Sequence, residues 1–394
     1  MSPATTTVTP ASPEELRAVV LDRPGAVRIA GAGTAHDWAG TPEPVDTILD
    51  TTGLAGIVTH NPGDMTVEVG AGTPLRDLQA ELAPHHQRVA IDPARTADGA
   101  TLGGLFATAD AGPRALQYGS LRDLVIGATI VLADGTMARS GGHVIKNVAG
   151  YDLTKLLHGA HGTLGVLVRL VLRLHPAPEA SATVAVPCER AAMAGAARRV
   201  ADSPVEPAAV EWLADDHGGR LLVLIEGSAA GAASRAERLV GIVGEGAAVL
   251  GDDDGAAAWE AHAATVRRPA DDRAVFRFGV TPSELPDVLD ALGSTAGLTD
   301  VTASPRTGVA TVALPADPDV VAEAHRYVAA AGGTSTLRQR PPGAVGAVLP
   351  GLGPAPTSAA LLRAVATSLD PDQRFGRGRL APWIPAPQPT GVSA

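Results

Sequence analysis

At 394 residues the chain is long enough for two or three domains, each with its own core, and 45 % hydrophobic against 19 % charged residues excludes a disordered chain. No apolar run approaches the roughly 18 residues of a bilayer span. The 31 Lys and Arg against 42 Asp and Glu give a formal charge of −11, which repels phosphate backbones and anionic lipid because no basic patch intervenes. Aromatics are 3 % and glycines number 45, so the core must be aliphatic and the backbone must turn or approach something closely at many points. The one cysteine, Cys188, builds no internal disulfide, iron–sulfur cluster or structural zinc site by itself and fits a reducing compartment. The opening MSPATTTVTPASPEEL lacks the basic and apolar regions of a secretory signal.

Ser12-Pro13-Glu14-Glu15 is a capping box with proline at the first helical position and predicts a helix over 13–21. The β-branched run 26–30 predicts a strand that stops at Gly31-Ala32-Gly33-Thr34-Ala35, where two glycines permit a tight turn. Strands follow at 47–50, 56–59 and 65–69; Thr73 is expected to cap a helix with Pro74 at its first position, running to about 82, and 101–108 reads as a further short helix. The runs 126–132 and 136–139 flank Asp134-Gly135 and predict a hairpin with a type I′ turn. Over 166–174 period-two alternation puts Val166, Val168, Leu170, Leu172 and Leu174 on one strand face and both arginines on the other.

The prolines of HPAPEAS, 175–181, interrupt this pattern and set a domain boundary. The division is 1–178, 179–340 and 341–394. From 182 the element order is strand, helix, strand, strand, helix, strand; after a helical connector at about 256–267 it recurs over 274–338. Two ferredoxin-like βαββαβ units would join into one antiparallel sheet covered by helices on one face. The Gly- and Pro-rich run 341–358 carries no regular pattern, and a last helix near 359–369 leads to a Pro-rich tail after Trp383.

A strand before Gly31-Ala32-Gly33, with Asp50 about 20 residues on, suggests a Rossmann fingerprint. His36 stands where the third glycine belongs, however, and Trp38–Pro44 carries a glycine and two prolines where the crossover helix must form. The backbone N–H groups from Gly31 to Ala35 and the Thr34 hydroxyl still make a nest for a pyrophosphate; a tight turn without ligand is the alternative. Thr101-Leu-Gly103-Gly104 then opens a helix whose free backbone donors favour an anion. Both lysines of the chain, Lys146 and Lys155, fall in HVIKNVAGYDLTKLLHG, a candidate site whose alternative is chance clustering in a soluble loop.

With the glycine loop, the ordered series TLGGLFAT (101–108), AGPR (111–114), YGSLRD (118–123), KNVAGYDL (146–153) and GTLGV (162–166) resembles the FAD-binding domain of vanillyl-alcohol oxidase (PCMH-type) flavoproteins. With the closing LDPDQRFGRGRL (369–380) it is similar, more narrowly, to the FAD-binding E subunits (GlcE-like) of bacterial glycolate oxidases. The resemblance implies an α+β fold: a PCMH-type FAD-binding domain of two α+β subdomains, followed by an antiparallel-sheet cap domain. It implies that Gly31, Ala32, Gly33, Thr34 and Ala35 wrap the pyrophosphate, that Thr101, Gly103, Gly104, Ala107 and Thr108 line the flavin and diphosphate, and that Gly119, Gly162 and Val166 touch the adenine or ring system. Thr34 stands where covalent relatives carry a flavin-linking histidine, so FAD is expected to be noncovalent; His36 is the alternative attachment point. His161 and Gly376-Arg377 depart from the family's usual Glu and Asn-Pro.

No catalytic residue and no metal site is assigned. Relatives place histidines and acids in the carboxy-terminal domain, whereas His217, His262 and His325 stand apart in this sequence and read as solvated surface residues. Arg114, Arg122, Lys146, Tyr151 and His143 are candidates for a small anion near the flavin, against structural ion pairing such as Arg122–Asp123. The P-loop, HExxH, CxxC, GxSxG and EF-hand patterns are missing, and Gly159 and Gly162 make His158-x-x-His161 a loop. The expected function is the FAD-binding subunit of a glycolate oxidase-like complex that oxidises a small 2-hydroxy acid by hydride transfer. The alternatives are a self-sufficient FAD-dependent 2-hydroxyacid dehydrogenase and a noncatalytic assembly subunit with a structural nucleotide pocket. The implied partners are an FAD-containing D-type and an iron–sulfur F-type subunit, with no nucleic acid and no integral membrane segment. The expected location is the cytoplasm, peripheral to the inner membrane if partner subunits tether it there.

Overall fold

The computed structural model describes residues 5–144, 151–214, 218–267, 273–341 and 349–385, so Lys146 and His217 lie outside the described residues. Ser12 caps the helix Pro13–Asp22 by accepting the Glu15 N–H at 3.1 Å, and the Glu15 carboxylate returns to the Ala11 N–H at 2.8 Å. Leu16 and Val20 of this helix pack on a three-stranded parallel sheet in the order Thr6–Val8, Thr47–Asp50, Val27–Ala30. A second, antiparallel sheet runs Ile57–Asn61, Thr66–Gly70, Val166–Arg173, Val125–Val131, Met137–Gly141. The helices Leu75–Leu82 and Leu102–Ala107 cover it through Leu75, Leu78, Leu102 and Phe106.

Three local expectations are corrected here. The Thr73 hydroxyl caps nothing: it donates to the Gly70 carbonyl at 2.8 Å and accepts the Gly56 N–H at 2.9 Å, and the helix begins at Leu75. The 125–141 hairpin has no type I′ turn, because Gly135 alone has a positive φ, of 79°. The Leu132 N–H bonds to the Thr136 carbonyl at 2.9 Å, and the Asp134 carboxylate takes the Thr136 N–H at 2.8 Å, giving a three-residue loop closed by a left-handed glycine. The strand Val166–Arg173 is buried on both faces. A register shift opposite Thr129 and Ile130 sends Val166 and Val168 to the first core, and Leu167, Leu170 and Leu172 to the second.

The carboxy-terminal half forms one eight-stranded antiparallel sheet. Its order is Ala248–Val249, Ala180–Pro187, Arg220–Gly227, Ala209–Leu213, Thr299–Ser304, Val309–Pro315, Arg273–Gly279, Thr334–Gln339. The two βαββαβ units meet through their second strands, with Trp212 opposite Ala303 and Leu213 opposite Thr302. Helices Met193–Asp202, Ala229–Val243, Leu285–Ala296 and Pro318–Ala330 cover one face over Trp212, Phe276 and Phe278. The connector Asp252–Arg267 does not join them. It lies on the other face, with Ala258 against Ala185 and Leu222, so the expected one-sided covering holds for four of the helices. After the last strand, Phe375 returns to the amino-terminal sheet, where Val27 exchanges backbone hydrogen bonds with Arg374 and Gly376. Among the described residues no helix is long and apolar enough to cross a membrane.

The sheet face that carries the connector also meets the amino-terminal half, through Glu226. Its side chain is 2 % exposed and accepts from Arg88 at 2.5 and 2.9 Å, Arg114 at 2.8 Å and Tyr118 at 2.9 Å. Burial pushes the Glu226 pKa up, but the hydrogen bonds from Arg88 and Arg114 outweigh it and hold the carboxyl at about 2. A depressed carboxyl contributes its full stabilisation above its ordinary value of 4.5 and loses it as pH falls towards 2. Glu226→Gln is therefore expected to cost about 3–5 kcal/mol at pH 7, by leaving Arg88 without a counter-charge and Arg114 with Asp92 alone. Thermal unfolding followed from pH 7 to pH 2 should show the wild-type advantage shrinking with acid; equal midpoints at pH 7 would refute the clamp.

Candidate functional site

The strand Val27–Ala30 ends at Gly31, which has no room for a side chain: a Cβ there would lie 2.3 Å from the Thr101 hydroxyl. The chain then turns through Ala32 to Trp38 with four of its carbonyls held by two arginines. Arg95 donates to the Thr34 carbonyl; Arg379 donates to those of Ala35, His36 and Trp38 at 3.3, 2.6 and 2.9 Å. Across the trans Thr34–Ala35 peptide this turns the Ala35 N–H away from Arg95. Among the described residues the amides of Ala32, Gly33, Thr34 and Ala35 donate to no protein group. Facing them, Thr101 caps the helix Leu102–Ala107 by accepting the Gly104 N–H at 3.2 Å.

Gly31, Ala32, Gly33, Thr34, Ala35, Thr101, Gly103, Gly104, Ala107, Thr108 and Gly162 line one cavity of about 90 Å³. Two of the residues named from sequence lie elsewhere. Gly119 turns the chain between two short helices, against Asp123, and Val166 is buried in the core with Leu16 and Phe375. The same cavity is lined by Arg95, Asp110, His161 and Arg379, which the glycine pattern could not announce. Arg379 sits in the quoted LDPDQRFGRGRL; nothing in the sequence around Arg95 marks it.

The charge here is uneven. Arg95 and Arg338 stack on the Trp38 ring at 4.6 and 4.0 Å, and Arg338 pairs with Asp110 at 2.5 Å. With Arg379 this makes three buried guanidiniums against one carboxylate, whose Oδ2 has no partner. Burial, then Arg28, depresses the Arg379 pKa to about 10. Burial, followed by Arg379 and Arg338, lowers that of His161 to about 3, so its imidazole is neutral, with an orphaned Nδ1. Four free amides beside uncompensated buried positive charge suit an anion such as a pyrophosphate.

A second cavity, of about 920 Å³, lies between this region and the eight-stranded sheet. Ala94, Thr96 and Ala111 face it while their chain neighbours Arg95 and Asp110 face the small one, so the two cavities adjoin at 94–96 and 110–111. Asp92, Arg114, Glu211, Trp259, His262 and Arg277 also face the large cavity. The solvated reading of the histidines is corrected. His262 is 6 % exposed and meets Glu211 at 3.2 Å, while Ser304 donates to the other Glu211 oxygen. His325 is buried between the Ser335 hydroxyl at 2.7 Å and the Pro350 carbonyl at 3.1 Å.

Of the anion candidates among the described residues, Arg114 alone lines either cavity. Asp123 accepts the Ser120 N–H at 2.9 Å in a capping box, and Lys155 ties the Val125 carbonyl at 3.2 Å to Asp152 at 3.3 Å. Tyr151 is 93 % exposed, and His143 meets Glu68 at 3.4 Å on the antiparallel sheet.

Residues 4–141 match the FAD binding domain family. This part of the chain is an FAD-binding domain. It is 41 % identical over 133 residues to the glycolate oxidase subunit GlcE of Escherichia coli (strain K12), covering 34 % of this chain and 38 % of that protein. A D-lactate dehydrogenase of Archaeoglobus fulgidus is 32 % identical over 183 residues, or 46 % of this chain and 41 % of its own. The glycolate oxidase subunit GlcD of Bacillus subtilis (strain 168) is 41 % identical over 116 residues, or 29 % and 24 %. The match spans less than half the length of each of these relatives. An alkyldihydroxyacetonephosphate synthase structure superposes with a TM-score of 0.64 at 16 % identity, covering 93 % of this chain and 75 % of that one. That likeness is one of fold, a PCMH-type FAD-binding fold with an antiparallel cap sheet.

FAD is the cofactor of this domain, and the free amides and buried guanidiniums fit its pyrophosphate. A Cβ at Gly104 would stand in the cavity touching only the Thr101 hydroxyl, at 3.1 Å. Gly104→Leu should therefore fill the cavity, and the purified variant should lose its 450 nm flavin absorbance while keeping wild-type circular dichroism. Undiminished flavin content in a folded variant would place the cofactor elsewhere.

Proposed function

We propose that this chain is the FAD-binding subunit of a glycolate oxidase-like complex and oxidises a small 2-hydroxy acid. The row of four unpaired amides from Ala32 to Ala35, backed by buried guanidiniums and adjoining a large cavity, carries this reading. The small cavity lies below the ~300–1,000 Å³ of ordinary small-molecule sites. It would hold the pyrophosphate section of the dinucleotide, and the wider cavity would receive the ring and the substrate. Thr34 in the loop argues for noncovalent attachment.

The bound flavin would supply a two-electron acceptor for the hydride on the carbinol carbon. The chain must hold the substrate against it and take the hydroxyl proton, and Asp92, Glu211 and His262 on the cavity wall are the available acceptors. His262 is oriented for such a role by Glu211. Two of the relatives are named as glycolate oxidase subunits, which supports the multi-subunit reading. A chain with one cysteine holds no iron–sulfur relay, so cluster-borne electrons would pass to an iron–sulfur F-type partner alongside an FAD-containing D-type subunit. The proposed location is cytoplasmic, with any membrane association supplied by those partners.

The visible spectrum of the purified chain, with glycolate or D-lactate added anaerobically, tests this. A yellow protein that bleaches only with its partners is the expected result. Bleaching of the chain alone would make it a self-sufficient dehydrogenase, and a colourless protein that cannot be reconstituted with FAD would support an assembly role instead.

A further inference from the structure

Arg277 lies on the strand Arg273–Gly279 between Phe276 and Phe278, which point into the helix-covered core. Period-two alternation turns its guanidinium to the opposite face, into the large cavity. Other guanidiniums in this region are committed: Arg88 to Glu226, Arg114 to Glu226 and Asp92, Arg267 to Glu260, Arg338 to Asp110, and Arg95 and Arg379 to loop carbonyls. Arg277 instead has a single neutral partner, the Thr311 hydroxyl at 3.1 Å, and among the described residues it forms no ion pair. Its surroundings are desolvated enough that burial, then Arg338, lowers its pKa to about 10. Asp110 and Glu211 act on this buried cation only through space, no carboxylate contacts it among the described residues, and the cavity in front of it has room for one.

The other groups on the wall limit what that counter-charge can be. Glu211 faces the same cavity beside His262; Asp92, paired with Arg114 at 3.0 Å, and Glu260, paired with Arg267, face it as ion pairs, while Thr302 and Thr307 are neutral. A ligand with one negative charge satisfies Arg277; a second negative charge would meet these carboxylates across a poorly solvated space. The planar fork of a guanidinium matches the two oxygens of a carboxylate. We propose that Arg277 anchors a subsite for a small monocarboxylate in the large cavity and that Glu211 and Asp92 reject dianions from it. This rests on, and narrows, the reading of the chain as a 2-hydroxy acid oxidoreductase.

Isothermal titration of the full-length, flavin-loaded chain with glycolate, malonate and inorganic phosphate tests the subsite without turnover. Glycolate should bind saturably, and malonate and phosphate at least about tenfold more weakly. Arg277→Met should weaken glycolate by about tenfold or more, with Arg277→Lys falling between the two. Glycolate affinity unchanged in Arg277→Met, or wild-type affinity for malonate or phosphate equal to that for glycolate, overturns the proposal. Should Arg277→Met not fold, Glu211→Gln is the second arm: it should narrow the gap between glycolate and malonate, and an unchanged gap counts against the subsite. Glycolate bleaching that is as efficient in Arg277→Met as in wild type would sink the subsite and leave the oxidoreductase reading intact. Arg277-dependent binding without bleaching, even with partners present, would do the reverse.

Discussion

The grip of buried guanidiniums on one side of a glycine loop decides what the rest of the amino-terminal half can do. Arg95 and Arg379 take the carbonyls of Thr34, Ala35, His36 and Trp38. Among the described residues the amides of Ala32 to Ala35 donate to no protein group, and peptide planarity turns that of Ala35 away from the Thr34 carbonyl that Arg95 holds. The main chain supplies the contacts an anion would feel, but charged side chains hold that main chain in place. The same side chains carry positive charge that Asp110 does not balance, so the loop is pre-set for negative charge by geometry and electrostatics together.

The second constraint is the seam between the halves. Glu226 reaches from the eight-stranded sheet into Arg88, Arg114 and Tyr118, and the connector helix Asp252–Arg267 packs on the same face. Together they hold open a cavity whose walls come from both halves. Neither half alone encloses it. Two ferredoxin-like units joined through their second strands give a sheet wide enough for one helix-covered face to supply the core. The other face is then free to carry Thr302, Glu211 and Arg277.

Most elements were legible because their signals are local. The capping box at Ser12, the alternation along the sheet strands and the paired βαββαβ order all rest on neighbours a few residues apart. The glycine loop and the Thr101 helix start were legible for the same reason, since glycine and a capping hydroxyl act through their own backbone. What escaped depends on partners distant in sequence. His262 reads as isolated until the fold brings Glu211 beside it, 51 positions away, and Arg338 finds Asp110 across 228 positions. Thr73 misleads because its hydroxyl has better partners in Gly56 and Gly70 than in the helix that follows. The strand Val166–Arg173 hides a register shift that no single-strand pattern reveals. Gly119 and Val166 belong to motifs whose residues serve the turn and the core.

The central claim is that the amides of Ala32, Gly33, Thr34 and Ala35 are the donors that receive the cofactor's pyrophosphate. Amide nitrogen and proton chemical shifts measured in the flavin-free chain during titration with FAD address it directly. These four amides should move downfield together and saturate with flavin binding, and riboflavin, which lacks the diphosphate, should leave them in place. Flavin binding that saturates while all four resonances stay unmoved would contradict the account.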